Sequence, residues 1–324
     1  MFDRTSLRKR PSPVLIGIVV LMARPVAASP QATVAPDTVE ATSPAAPDRS
    51  GTYRLRLSDR VGSLNRYRLS FDMDIRAEYS DGDIPNGRAR RLMQSLGPGI
   101  QMHTVMEYEQ ELTNVEPDDT RVFEIRWDDY RFSGKVGGDD VTPPPQADEA
   151  VDRILSQTAL VRTTARGQTV DVKYDAPAFA RAGEELRAVQ NALPTLLPDG
   201  PVQVGDRWTG ETELPLRLPT GESGTVKVEM RHTLREIRPG PAGPVAVIDL
   251  QGSYSDLEGA RAGAILPMYL EATLTGTARF DIEAGRFGGG EYEVDMFALN
   301  TGEEGGELRL TGHASGELKL LDSR

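Results

Sequence analysis

The sequence predicts a mainly β protein with a few helices, in which two duplicated antiparallel β-meander halves form curved sheets covered by a central helix. Three observations lead to this prediction. Apolar residues recur at every second position over long stretches, which is the period of half-buried antiparallel strands. A pattern of strand, proline-containing turn and returning strand occurs twice. One long segment with helical periodicity lies between the two copies.

Residues 1–28 have the composition of a secretory signal peptide. Four basic residues among the first ten positions precede the apolar run VLIGIVVLMA, residues 14–23. This run is too short to span a bilayer, and small residues at Val26 and Ala28 follow it. We therefore expect cleavage after Ala28 and export to the periplasm or beyond, with no transmembrane span in the mature form.

The composition of the chain excludes several classes of function. The 324 residues include no cysteine, so disulfides, thiolate catalysis and cysteine-based zinc sites are impossible. The formal net charge is −12, and residues 1–28 hold five bases and one acid, so the mature chain is near −16. Such an acidic chain repels nucleic acid and anionic lipid headgroups, and we expect no nucleic-acid partner.

The chain is predicted to divide into five segments. The signal peptide at 1–28 is followed by a flexible linker at 29–51, which is rich in proline, alanine, serine and threonine and has too few large apolar residues to fold. A first β-rich repeat is predicted at 52–175. The central helix and its connecting loop occupy 176–200, and a second β-rich repeat occupies 201–324.

The two repeats are predicted from matching strands and turns. Alternation predicts half-buried strands at 53–57 and 67–75 in the first repeat. Leu112 and Pro117 lie 122 positions before Leu234 and Pro239, each pair at the end of a strand that leads into a proline-containing turn. Each copy then ends in a hairpin with a glycine turn, at 167 and at 285. Chance agreement between two hairpins is the alternative explanation.

The clearest helix is predicted between the repeats. Asp175 is a suitable N-cap, Pro177 suits the first turn, and Pro194 ends the helix. One apolar face follows at helical spacing, formed by Phe179, Ala182, Leu186, Val189 and Leu193. A shorter helix is predicted at residues 147–157.

The stretch PDGPVQVGDRW, residues 198–208, joins this helix to the second repeat. We interpret its first part as the exit loop of the helix and VQVGDRW as the first strand of the repeat. Gly205 and Asp206 then form a turn or bulge that redirects the strand. Trp208 is predicted to be a core residue that packs against the central helix.

These motifs resemble an uncharacterised family of secreted bacterial β-rich proteins, a domain of unknown function whose members are often lipoproteins. The resemblance rests on the helix, on PVQVGDRW and on GTARFDIEAGRF, and it covers residues 52–300. It implies no catalytic residues. This chain lacks the lipoprotein cysteine, so membrane anchoring is not implied. At the level of fold, a curved sheet covered by helices also resembles periplasmic lipoprotein-carrier and lipid-binding half-barrels.

Motifs that carry catalysis or bind metals and cofactors are absent from the sequence. His103, His232 and His313 form no metal-binding spacing, and His232 and His313 are predicted to be surface residues of strands. Asp128 and Asp129 would lie on opposite faces of a strand, so they form no acid–base pair. There is no nucleophile elbow and no phosphate-binding loop. We predict no catalytic residue, no metal and no cofactor.

The sequence favours a non-enzymatic protein of the cell envelope that binds an apolar ligand or lipid between sheet and helix. The candidate ligand-binding residues are Phe179, Leu186, Val189, Leu193, Trp208, Leu266, Met268 and Tyr269. One alternative is an envelope protein that interacts with other proteins or has a structural role and binds no small ligand. A hydrolase that uses dispersed carboxylates is a further alternative, so the absence of enzymatic activity stays an open question.

Overall fold

The computed structural model describes residues 51–79, 99–140, 155–174, 196–217, 223–258, 268–301 and 307–324. These ranges form twelve strands and no complete helix. The strands are β1 (Leu64–Tyr79), β2 (Ile100–Val115), β3 (Arg121–Val136), β4 (Asp139–Asp140), β5 (Ala159–Thr163), β6 (Thr169–Tyr174), β7 (Arg207–Arg217), β8 (Ser223–Gly240), β9 (Gly243–Glu258), β10 (Met268–Asp281), β11 (Arg286–Thr301) and β12 (Glu307–Ser323).

All twelve strands belong to one antiparallel, unclosed sheet. Its order is β6-β5-β3-β2-β1-β12-β11-β10-β9-β8-β7, and β4 pairs only with β3. The first strand therefore pairs with the last at the centre of the sheet. The prediction of a mainly β protein is confirmed, but the strands form a single sheet. The predicted central helix and residues 147–154 of the shorter helix lie outside the described residues.

Alternating side chains give the sheet two different faces. On β1, the side chains of Tyr67, Leu69, Phe71 and Met73 are buried, as their alternation predicts. Residues at the intervening positions are charged or polar and more exposed. We call the face with the buried side chains the inner face and the opposite face the outer face. Apolar residues from β1, β2 and β8 to β12 join one core cluster on the inner face.

One end of the sheet is closed by two short stretches of chain, residues 53–58 and 196–202, which we call the floor. Tyr53 and Val202 exchange two backbone hydrogen bonds of 2.8 Å. The N–H of Leu57 donates to the carbonyl of Ala165, and residue 58 bonds to the carbonyl of Gly285. Both acceptors lie in hairpin turns at the same end of the sheet. The floor therefore ties together hairpins that are distant in sequence.

A buried arginine fixes the floor to the sheet. Arg121 begins β3 and is 3% exposed. Its Nε donates to the carbonyl oxygens of Leu57 at 3.2 Å and Ser58 at 3.1 Å, and its Nη1 donates to the carbonyl of Asp119 at 2.6 Å. Burial lowers the pKa of Arg121, and the negative charge of Asp59 opposes that effect. The guanidinium of Arg121 thus donates hydrogen bonds to three backbone carbonyl groups that converge on it.

The leucines aligned from the sequence occupy matching corners of the sheet. The carbonyl of Leu112 accepts a hydrogen bond from Gly62 at 2.7 Å, and that of Leu234 accepts one from Gly205 at 2.7 Å. In each case the leucine N–H donates to the residue after the glycine, at 3.0 Å. Both glycines have positive φ, 86° and 99°, and a β-bulge follows each leucine. Beyond these corners, duplication of two whole halves stays a prediction.

The first strand of the predicted second repeat is shorter than expected. Val202 makes only an isolated bridge to Tyr53, and β7 begins at Arg207. Gly205 and Asp206 form a turn before the strand, which is one of the two predicted possibilities. No helix in the described ranges is long and apolar enough to cross a membrane.

Candidate functional site

The inner face carries apolar or small side chains at nearly every position. Strand register aligns these positions into rows that cross the sheet. We call two adjacent rows the methionine row and the polar row. The methionine row contains Gly134, Met102, Met73, Ala314, Val294, Leu274, Gly252, Met230 and Gly210. The polar row contains Phe132, Thr104, Phe71, Gly316, Tyr292, Gly276, Leu250, His232 and Trp208. Neither row contains lysine, arginine, aspartate or glutamate.

The methionine row pairs long flexible side chains with glycines. Met230 lies opposite Gly252, and its Sδ and Cε occupy the space that a Cβ of residue 252 would need. Met102 lies opposite Gly134, and its Cγ is in van der Waals contact, 3.5 Å from the position of a Cβ built there. Methionine is unbranched and adapts to irregular surfaces. The shape of this row is therefore set by side chains that can be repositioned at low cost.

The polar row ends at Trp208 on the edge strand β7. The indole ring stacks on the imidazole of His232, with 5.3 Å between ring centroids and 5° between planes. The indole Nε1 donates to the carbonyl of Leu196 in the floor at 2.7 Å. Trp208 thus packs against the core cluster, as predicted, and the central helix that it was predicted to contact lies outside the described residues. His232 is 2% exposed, so the prediction of a surface histidine is wrong: it has the inward position beside Leu250 and Trp208.

Tyr292 lies between two glycines of the polar row and covers one of them, Gly316, with its aromatic ring. Its strand neighbours are Gly276 and Gly316, and its ring occupies the space that a Cβ of residue 316 would need. Burial raises the pKa of Tyr292, with a smaller contribution from Tyr254, so the phenol stays protonated at neutral pH. The row therefore contains a neutral hydroxyl in largely apolar surroundings.

Thr104 places a second hydroxyl on the same row. It lies between Phe71 and Phe132 in the strand register and is 1% exposed. Its Oγ1 is buried and has no hydrogen-bond partner. Buried polar atoms are nearly always paired, because an unsatisfied hydroxyl loses its hydration without compensation. Thr104 is therefore an unusual polar group of the inner face, a property that it shares with Trp127, whose Nε1 is also unpaired.

The candidate ligand-binding residues from the sequence have mixed outcomes. Trp208 lies on the inner face, and Met268 begins β10. Tyr269 is 54% exposed and shares the outer face with Glu271, to which its hydroxyl donates at 2.8 Å, so it does not contribute to the inner face. The other five lie outside the described residues: Phe179, Leu186, Val189, Leu193 and Leu266.

Thr104, Tyr292 and His232 were not predicted as site residues. The sequence does contain one signal for Thr104. It lies two positions after Met102 on the same strand, and residues two positions apart point to the same face of a sheet. What the sequence does not contain is the register that aligns these residues across nine strands.

The outer face is polar and carries a groove of about 500 Å³ at its centre. The groove is lined by hydroxyl and carboxylate side chains and by backbone, from Ser70, Asp72, Thr275, Gly276, Thr277, Glu291, Tyr292, Glu293, Ser315, Gly316 and Glu317. His103 Nδ1 lies 2.7 Å from an oxygen of Asp72 at its margin. Within the described ranges, no three histidine, aspartate or glutamate side chains are grouped as metal ligands.

A cluster of ion pairs lies beside this groove on β1, β2 and β3. Arg66 contacts Asp128 at 3.0 Å, and Arg131 contacts Asp129 at 2.9 Å. Both aspartates thus pair with outer-face arginines, so their prediction on opposite faces is wrong. The reason is a β-bulge in β3. Asp129 pairs with Glu107 and Trp127 pairs with Tyr108, so Asp128 is an extra residue that interrupts the alternation of side chains along β3.

No protein-family model and no curated protein matches this chain. Among solved structures, it is similar to lipovitellin, described for its lipid–protein interactions, with 10% identity and a TM-score of 0.45 over 82% of this chain. The chain spans 26% of the length of that lipovitellin chain.

Two further solved structures show lower similarity. The β domain of the Bordetella autotransporter BrkA has 11% identity and a TM-score of 0.14, over 79% of this chain and 99% of its own. A protein of unknown function from the DUF3598 family of Nostoc punctiforme has 9% identity and a TM-score of 0.11, over 80% and 96%. All these TM-scores are below 0.5, so none of the three similarities supports a conclusion about function.

Proposed function

We propose that this protein is a non-enzymatic, exported binding protein that holds an apolar ligand or lipid against the inner face of its sheet. The observation that carries the proposal is the composition of the methionine row, where three methionines lie next to glycines or an alanine. A core selected only for stability uses side chains with defined rotamers, whereas methionine is enriched at surfaces that accept varied apolar molecules.

The end of the sheet opposite the floor supports this proposal. Ile75 and Val294 on the inner face are only partly buried, although they pack against the core cluster, and Met296 on the same face is also partly buried. Met296 lies beside Gly312, and its Cγ is 2.6 Å from the position of a Cβ built there. Apolar area that the protein leaves partly uncovered is available to an apolar ligand.

An apolar dye tests the proposal directly. We expect Nile red, titrated into the folded protein, to show saturable fluorescence enhancement that the non-fluorescent apolar competitor dodecane reverses. Met296→Trp adds volume to the inner face and should weaken binding at least tenfold. Thr311→Trp is the matched control, because Thr311 is exposed on the outer face of the neighbouring strand. Its binding should equal that of the wild type.

Two outcomes would contradict the proposal. One is the absence of saturable binding to the folded wild-type protein. The other is equal binding by both tryptophan variants with melting temperatures near that of the wild type. Either outcome would favour the alternative of an envelope protein that interacts with other proteins and has no small ligand.

Export is a separate part of the proposal, based on the signal-like residues 1–28. When the full-length gene is expressed in a bacterial host with a periplasm, we expect the soluble protein to begin at Ser29. Intact-mass measurement of the periplasmic and cytoplasmic fractions checks this. A soluble, folded protein that retains Met1 and remains in the cytoplasm would show that these residues are not a cleaved export signal.

A further inference from the structure

We infer that Thr104 is the hydrogen-bonding contact for an uncharged polar group of the bound ligand, which makes the ligand a neutral amphiphile such as a long-chain ester or alcohol. This inference rests on the proposed function, because it assigns the chemical class of ligand to the same inner face. It is carried by one observation, the fully buried Oγ1 of Thr104 that lacks a partner.

The position of Thr104 shows why its hydroxyl matters to a ligand. Its row neighbours are the phenyl rings of Phe71 and Phe132, which offer no hydrogen bond. Next to it along β2 on the inner face are Met102 and Met106, again without a strong acceptor. A ligand that lies along the methionine row would therefore meet one isolated hydroxyl on this flank of the sheet.

The same row carries a second hydroxyl at a useful distance. Tyr292 lies three strands from Thr104, about 14 Å at the usual strand spacing, and its ring leans over Gly316 towards Thr104. Between these two residues the row carries Phe71 and Gly316, neither of which has a polar side chain. This arrangement suits a ligand whose polar group is flanked by hydrocarbon.

The charge of the inner face restricts that polar group to an uncharged one. The polar row and the methionine row contain no lysine or arginine that would pair with a carboxylate or phosphate. A buried charge without a partner is strongly unfavourable. The threonine hydroxyl can donate to an ester carbonyl and can accept from an alcohol. Free fatty acids in their ionised form and phospholipid headgroups are therefore excluded from this level of the inner face.

Competition against Nile red tests this inference with four twelve-carbon probes at pH 8: methyl dodecanoate, dodecan-1-ol, dodecane and dodecanoate. The ester and the alcohol should displace the dye at least tenfold better than the dodecanoate anion. Thr104→Val keeps the shape of the side chain and removes the hydroxyl. We expect it to weaken the ester and the alcohol fivefold to tenfold and to leave dodecane unchanged.

The stability of the ligand-free variant provides a second readout. Removing an unsatisfied buried hydroxyl should raise the melting temperature of Thr104→Val by about 2–4 °C. Thr113→Val is the matched control: Thr113 Oγ1 donates to the carbonyl of Val122 at 3.0 Å, so its loss should lower the melting temperature. The melting temperature of the ligand-free variant and its affinity for the probes are therefore independent readouts.

The outcomes separate this inference from the proposed function. If Thr104→Val weakens dodecane and dodecan-1-ol equally, or weakens neither, the hydroxyl does not contact the ligand and the inference is wrong, while apolar binding stands. If dodecanoate binds as well as the ester, the conclusion that the ligand has an uncharged polar group is wrong. If Nile red shows no saturable binding to the wild type, the proposed function itself fails.

Discussion

Replacing Trp208 by alanine should lower the free energy of unfolding by about 3 to 5 kcal/mol, the range for truncation of a large packed aromatic side chain. Three contacts would be lost together: packing against the core cluster, the stack on His232 and the hydrogen bond to Leu196. The last contact fixes the floor to the edge strand. Urea denaturation followed by circular dichroism measures the change.

The other tryptophan provides a control for the hydrogen bond. Trp127 is also partly buried, but its Nε1 has no hydrogen-bond partner. Both Trp208→Phe and Trp127→Phe keep an aromatic ring, and only the first loses an N–H···O bond. The cost of Trp208→Phe should therefore be about 1 kcal/mol greater. An unchanged denaturation curve for Trp208→Ala would mean that this edge of the sheet does not contribute to global stability.

Replacing Arg121 by methionine should have a similarly large effect, a loss of about 3 to 5 kcal/mol, because it removes a buried guanidinium that is the shared donor of three backbone carbonyl oxygens. The carbonyl oxygens of Leu57, Ser58 and Asp119 would all lose a donor. Arg126→Met is the matched control on the same strand. The side chain of Arg126 is 52% exposed and pairs with Glu124, so its loss should cost less than about 1 kcal/mol.

Protease sensitivity distinguishes loss of the floor from a general loss of stability. Arg54 and Arg56 lie within the floor and are potential trypsin sites. In Arg121→Met, native-state digestion should cut at these positions much faster than in Arg126→Met. Equal cleavage rates in both variants, with equal stabilities, would show that Arg121 does not hold the floor in place.

The part of this fold that could be predicted from sequence is the part that alternation determines. Tyr67, Leu69 and Phe71 follow a period of two, and their burial confirms the predicted strand. The corner leucines at 112 and 234 were aligned from their spacing, and the structure gives them the same backbone hydrogen bonds. Both signals are local, because each extends over no more than one strand and its turn.

The features that could not be predicted depend on bulges and on register between distant strands. Asp128 shares the outer face with Asp129 because it is the extra residue of a β-bulge, and no sequence signal marks that bulge. His232 looks like a surface residue because Arg231 and Thr233 flank it. It nevertheless faces inward, since it lies two positions after the inward-facing Met230 on β8. The polar row exists only when nine strands are aligned, so Thr104 and Tyr292 cannot be connected from their local sequence.

The pairing of β1 with β12 has a consequence for the order in which the chain can fold. The centre of the sheet pairs β1 with β12, which stand first and last among the described strands, so it cannot assemble before β12 is available. Before that point the inner edges of β1 and β11 are unpaired and open to wrong partners. Such long-range pairing slows folding and leaves intermediates prone to aggregation. A truncation before Glu307 would divide the sheet into two separate meanders.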